Sequence, residues 1–268
     1  MRHSSTALVV TSLFFLLTAR PSATQQTSTA AIQRDQQALT VLAQVLKNAG
    51  GATALATIQD FTGSGSITYN WPEGPAQGSV KVKGRGISQF RLDATLADGV
   101  HSWVVANGTA LQKQADGSIT PLPYPLTLKP ASITFPFAQL VVALQDTSWS
   151  ISYGGLVLHN GQQVYDIGFQ KILPQGSDPF GFQSSVTKAN FFIDPDTFSI
   201  LSLQDRAYRK DHEPGDVPHE IQFSNYQILN GVRVPLSVTE LVSGQQTVTI
   251  QLSQITFNSG LTDADFAL

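Results

Sequence analysis

Apolar and polar residues alternate along most of the chain after Phe61, and most clearly near its end. In Val232-Arg233-Val234-Pro235-Leu236-Ser237-Val238, the valines and the leucine take one side and Arg233, Pro235 and Ser237 the other. A period of two predicts a half-buried strand. Asn230-Gly231 comes just before it. This dipeptide is preferred in a type I′ turn, where both central residues need positive φ. Ser243-Gly244 opens another turn, after which Val248, Ile250 and Leu252 alternate with Thr247, Thr249, Gln251 and Ser253. At Gln254 the phase slips, and Ile255 and Phe257 continue on the other parity. A slip of one residue predicts a β-bulge, which bends a sheet. Upstream, residues 190–193 and 198–203 flank Asp194-Pro195-Asp196-Thr197, a hairpin with turn chemistry at its tip. Antiparallel strands with one apolar face must cover something.

The earlier part of the chain adds helices and more strands. Residues 34–49 read as a helix, with Ala38, Leu39, Leu42, Val45 and Leu46 on one face. Gly50-Gly51 stops it, because glycine accepts the left-handed conformation after a helix C-terminus. Residues 52–58 suggest a second short helical turn. Ile67, Tyr69 and Trp71 then alternate, and Pro72-Glu73-Gly74-Pro75 punctuates them. Val80 and Val82 follow, and Phe90, Leu92, Ala94 and Leu96 alternate with Arg91, Asp93 and Thr95. Residues 101–106 and 110–114 flank Asn107-Gly108, another hairpin signal. Residues 121–136 are proline-rich and read as irregular. A short helix follows, with Phe137, Leu140, Val141 and Leu144 sharing a face and Pro136 suiting its first turn. Trp149, Ile151 and Tyr153 resume strand spacing, and Asn160-Gly161 turns the chain into residues 164–173. Stretches 174–185 and 205–218 read as loops. The pattern predicts a mainly β, α+β fold: a curved antiparallel sheet covered by short helices, forming one domain over residues 34–268.

Residues 1–23 read as an export signal: Arg2 and His3, then an apolar run over 7–17, then Pro21-Ser22-Ala23. Residues 24–33, rich in Gln, Ser, Thr and Ala, read as a flexible leader. The chain has no Cys, hence no lipid-attachment cysteine and no disulfide, and must be stable outside the cytoplasm on its core alone. Loss of residues 1–23 removes Arg2 and Arg20 and no acid, leaving 14 basic against 19 acidic residues and a net charge of −5. That argues against nucleic acid as a partner, since neutralising phosphates needs a basic surface.

Most catalytic signatures are absent. The sequence has no G-x-S-x-G elbow, no H-E-x-x-H, no Walker loop and no G-x-G-x-x-G. Asp211-His212-Glu213, Asp216 and His219-Glu220 collect metal-ligating residue types in one loop. Pro214 and Pro218 break that loop and make convergent ligation awkward, so it reads as a solvated connection without a metal. His101 and His159 lie near strand ends or turns and read as structural or solvated. Asp194 and Asp196 read as turn residues, not as a catalytic pair. What remains is apolar supply, with 15 Phe, 3 Trp and 6 Tyr on a strand-rich chain. Trp71, Phe90, Leu92, Trp103, Phe137, Leu140, Val141 and Trp149 can fill a core or line a cavity between sheet and helices.

The order helix, Gly-Gly, long antiparallel strands and closing segment resembles the periplasmic lipoprotein carriers of the LolA/LolB type. It is closer still to secreted proteins labelled outer membrane lipoprotein-sorting protein-like. The likeness rests on Leu46-Lys47-Asn48-Ala49-Gly50-Gly51, on Phe191-Phe192-Ile193-Asp194-Pro195-Asp196-Thr197 and on residues 226–235. The ending Ile255-Thr256-Phe257-Asn258-Ser259-Gly260-Leu261, with Asp265-Phe266, is also similar. The resemblance implies a half-open antiparallel β-barrel with a hydrophobic interior lidded by helices. It further implies a non-enzymatic, cofactor-free protein of the periplasm or secreted space. Such a monomeric carrier takes a lipid or lipoprotein acyl chain and can meet an envelope protein partner. In the carriers a basic residue near the second or third strand regulates release, and Arg85 is the nearest match here. Two other readings stay open: a scaffold of the same fold with a filled core, and a hydrolase built on the His212/His219 loop.

Overall fold

The computed structural model describes residues 32–123, 125–128, 134–207 and 217–268. The export signal, the leader up to residue 31 and the His212 part of the candidate metal loop lie outside the described residues. Two helices open the fold, α1 (Gln36–Asn48) and α2 (Ala52–Ala56). Six strands follow: β1 (Asp60–Trp71), β2 (Gly74–Arg85), β3 (Gln89–Leu96), β4 (Gly99–Ala106), β5 (Thr109–Lys113) and β6 (Ile119–Pro121). Helices α3 (Pro125–Leu128) and α4 (Phe137–Gln145) lead to β7 (Trp149–His159) and β8 (Gln162–Lys171). After α5 (Phe182–Val186) come β9 (Ala189–Ile193), β10 (Ile200–Ala207), β11 (Val217–Leu229), β12 (Val232–Val242) and β13 (Gln245–Phe257).

The strands form one 13-stranded antiparallel sheet in the order β6-β5-β4-β3-β2-β1-β13-β12-β11-β10-β9-β8-β7. Every neighbour is next in sequence except at the middle, where the first strand pairs with the last. The sheet is open: β6 is one edge and β7 the other. Those edge strands are consecutive along the chain, and the segment between them carries α3 and α4. The helical connection therefore runs from one edge of the sheet to the other.

Laid flat, thirteen strands at their usual spacing would span roughly 60 Å. Helix α1 is about 20 Å long. Yet one contiguous core unites α1, α4 and residues from both halves of the sheet, among them Leu42, Leu140, Phe90, Ile151, Phe191 and Ile250. A sheet this wide shares one core with two short helices only by curling around them. Local features supply the bend. Gly63 pairs with Ile255 but Gly65 with Leu252, so Ser253 is extra in β13, next to the predicted phase slip at Gln254. Further register shifts leave Gly154 extra in β7, Leu201 in β10 and Thr247 in β13.

The turns follow the sequence. Asn107-Gly108, Asn160-Gly161, Asn230-Gly231 and Ser243-Gly244 all have positive φ at both positions, as a type I′ turn requires. Asp194 accepts hydrogen bonds from the backbone N–H of Asp196 (3.0 Å) and Thr197 (2.7 Å), so it holds the turn between β9 and β10. Three segments expected to be irregular contain structure. Residues 121–136 hold the end of β6 and α3, and 174–185 lead into α5. In 205–218, β10 continues to Ala207 and β11 begins at Val217, because Asp205, Arg206 and Ala207 still pair across to His219, Pro218 and Val217.

Helix placement is set by polar anchors. Asp35 caps α1 by accepting from Gln37 and Ala38 N–H. Arg34 donates to the carbonyls of Ala143 and Leu144, both at 2.9 Å. A cation thus satisfies the C-terminal carbonyls of α4. The same residue bridges Ile151 on edge strand β7, so one arginine ties α1, α4 and β7 together. At the other end of α1, Arg233 N–H donates to Ala49 O at 3.1 Å, docking the β11–β12 turn onto the helix.

Candidate functional site

Strand parity decides what faces inward. On β3, Phe90, Leu92, Ala94 and Leu96 are buried on the concave face, while Arg91 and Asp93 face out. On β12, Val232, Val234, Leu236 and Val238 share the inner parity, and the next residue on it is Glu240. Between β3–β5 on one side and β11–β13 on the other lies a cavity of about 370 Å³. Its walls are Leu92, Trp103, Leu122, Ile221, Val238, Val248 and Ile250, with Tyr69, Gln112 and Glu240 as the polar members. It sits on the concave face of the curled sheet.

The polar members are specific. Trp103 Nε1–H is shielded from solvent and has no hydrogen-bond partner among the described residues. A buried donor left unmade is costly, so it is a natural point of contact for an acceptor entering the cavity. Glu240 is held by residues of both neighbouring strands. His219 donates to it through Nε2 at 3.2 Å and to Asp205 through Nδ1 at 2.5 Å, and Thr247 donates to its second oxygen at 2.5 Å. Burial alone would push the His219 pKa down, but its hydrogen bonds to Asp205 and Glu240 prevail and raise it to about 9. Burial likewise opposes ionisation of Glu240, and the His219 and Thr247 hydrogen bonds overcome it, holding the carboxyl below its usual range. Burial and the neighbouring Glu240 charge push the Tyr69 phenol up to about 12, so it stays neutral.

The eight apolar residues singled out in the sequence fall into four places. Leu92 and Trp103 line the cavity. Trp71 stacks on the cavity residue Tyr69 with ring centroids 5.4 Å apart and is itself 42% exposed, which puts it at the rim. Phe90 meets Trp103 edge-on at 5.7 Å and is fully buried behind it. Phe137, Leu140, Val141 and Trp149 belong to the helix side of the core and not to the cavity wall.

Arg85, the nearest match to the carriers' basic residue, lies on the face of the sheet away from the cavity. On β2, Val80, Val82 and Gly84 take the inner parity, so Lys81, Lys83 and Arg85 face outward. Arg85 donates to Leu261 O at 3.0 Å, pairs with Asp263, and lies 5.6 Å from the Phe266 ring centroid. Lys83 pairs with Asp265 at 2.8 Å. Phe266 packs on Val104 and Ala106, on the convex face. Asp60 fixes the start of this tail by accepting from the backbone N–H of Ser259, Gly260 and Leu261. Arg85 is therefore a clasp for the C-terminal segment.

In the candidate metal loop, His219 and Glu220 are adjacent on β11 and point to opposite faces. His219 joins Asp205 and Glu240 inside, and Glu220 pairs with His159 at 3.0 Å outside. No cluster of His, Asp or Glu suited to a metal ion forms among the described residues. His101 bonds Gln114 and Asp98, and so has a structural role.

The sequence reading did not single out Tyr69, Gln112, Leu122, Ile221, Val238, Glu240, Val248 or Ile250 as site residues. One signal was present for the most informative of them: Glu240 falls on the apolar parity of β12, where a charge needs a reason.

No protein-family model matches the sequence, and no curated protein matches it. Solved structures do. One is a putative outer membrane lipoprotein-sorting protein domain from Vibrio parahaemolyticus, at 11% identity and a TM-score of 0.51. It covers 85% of this chain and 95% of its own. Another is a LolA superfamily protein from Nitrosomonas europaea, at 11% identity and a TM-score of 0.52, covering 84% of this chain and 97% of its own. The chain shares the fold of these two structures. At this identity the likeness concerns the path of the chain, so any function rests on the cavity of this protein.

Proposed function

We propose that this protein binds one acyl chain or a comparable apolar group in the cavity between β3–β5 and β11–β13. It acts as a non-enzymatic carrier or binding module of the periplasm or secreted space, reached through the signal at residues 1–23. The observation that carries the reading is the cavity itself: about 370 Å³, walled largely by aliphatic and aromatic groups. Small-molecule sites run from about 300 to 1,000 Å³, so this one suits a single chain and not a bulky multi-chain lipid. Each methylene transferred into it gains about 0.8 kcal/mol. Association and ordering costs reduce the sum, which leaves affinity for one acyl chain of micromolar order. Leu92 and Trp103 contact the ligand, Trp71 stands at the entrance, and Phe90 backs Trp103. Phe137, Leu140, Val141 and Trp149 support the site by holding the helical side of the core.

Tryptophan emission tests this. Trp103 lines the cavity and Trp71 stands at its rim, so adding a long-chain lipid should shift emission to the blue, with half-saturation at tens of micromolar or below. Because Arg85 lies on the convex face, Arg85→Ala should leave that titration unchanged. No shift and no saturable binding at tens of micromolar would favour the ligand-free scaffold.

A further inference from the structure

Among the described residues, ten side chains line the cavity, of which one is a carboxylate and none is basic. Glu240 occupies the inner parity of β12 and is 29% exposed at its side chain, so it is neither sealed in the core nor free in solvent. One oxygen accepts from His219 on β11 and the other from Thr247 on β13, the two strands that flank β12, and each keeps further acceptor capacity. His219 comes from β11, Asp205 from β10 behind His219, Tyr69 from β1, and Thr247 and Val248 from β13. His219 is shared between Asp205 and Glu240, and of these groups Glu240 is the carboxylate that lines the cavity.

Aromatic faces complete the environment. Tyr69 lines the same cavity, Trp71 stacks on it, and Trp103 closes the wall from β4. A carboxylate beside electron-rich rings is the chemistry that receives an organic cation. The rings attract it through their quadrupoles, and the carboxylate supplies a charge-assisted hydrogen bond. A fatty-acid carboxylate placed there would meet a like charge at a site largely withdrawn from water.

We infer that the cavity selects amphiphiles by their head, accepting a single-chain ligand with a protonated amine at Glu240 and disfavouring the matching carboxylate. The inference rests on the apolar-ligand reading above and names the ligand class within it.

The test is displacement of Nile red by three probes of equal chain length at neutral pH: dodecylammonium, dodecanol and dodecanoate. The ammonium is expected to displace the dye at least about tenfold more tightly than the carboxylate, with the alcohol between them. Glu240→Gln should reduce the preference to within about threefold, with an unfolding midpoint recorded to confirm that the variant is folded. Thr247→Val, which loosens the carboxylate without removing it, should weaken the preference less. If all three probes displace the dye equally from the unaltered protein, the head-group inference is overturned while the apolar-ligand reading stands. If Nile red does not bind saturably, both fail.

Discussion

His219 is the residue whose chemistry the fold changes most. It sits between Asp205 and Glu240, on the inner face of a sheet, with its side chain 13% exposed. Its pKa is raised to about 9 in the folded protein, against about 6.5 in an unfolded chain. A raised pKa means that the folded state holds the proton more tightly. The associated stability is present in full below about pH 6.5 and is lost as pH climbs through about 9. Glu240 is lowered and has the opposite sign: its contribution exists above the ordinary carboxylate range and disappears on acidification. Urea unfolding should accordingly show a midpoint that declines between pH 7 and pH 9.5, and His219→Gln should flatten that decline. An identical pH dependence in the variant would mean that the imidazole is not held as a cation. Glu240 also shows what sequence could and could not disclose at this scale. Its inward parity was legible from Val232 onward, but its partners come from β10, β11 and β13, and pairing register is not written in any one strand.

Among elements, the contact between α1 and the β11–β12 turn sets how the helix sits on the sheet. Gly50 and Gly51 both have positive φ, yet they differ in surroundings. A Cβ on Gly50 would lie 2.4 Å from the carbonyl oxygen of Gly231, whereas one on Gly51 would meet nothing within 4 Å. Each substitution by alanine bears the backbone cost of a left-handed residue, about 1 kcal/mol or more. Only Gly50→Ala also forces two backbones apart, so its unfolding midpoint should drop clearly further than that of Gly51→Ala. Equal losses would show that the turn and the helix are not packed as described. Gly50-Gly51 was readable in the sequence as a helix stop, and Asn230-Gly231 as a hairpin turn. That the stop and the turn touch was not, because the contact joins segments about 180 residues apart. The same limit explains the short helices α3 and α5, which are too brief to show a helical period.

At the scale of the molecule, alternation and turn chemistry foretold a curved antiparallel sheet with helical cover, and the bulge beside Gln254 marked one place where it bends. The pairing of β1 with β13 in the middle of the sheet was not foretold, although it decides which strands share a cavity. Apolar content drew attention to Trp71, Phe90, Leu92 and Trp103, which gather around the cavity, and equally to Phe137, Leu140 and Trp149, which fill the core on the helix side. Composition cannot separate those two uses, since both bury apolar surface. The central claim is that the space between β3–β5 and β11–β13 is a binding site. Val248 lines it and is half-buried, so Val248→Trp can fill the space from an inner strand without replacing a core residue. Nile red titration of the two proteins is the most direct measurement. The unaltered protein should bind the dye saturably at micromolar concentration, and Val248→Trp should lose that binding while keeping its unfolding midpoint. Equal dye binding by a folded Val248→Trp protein would contradict the assignment of the cavity.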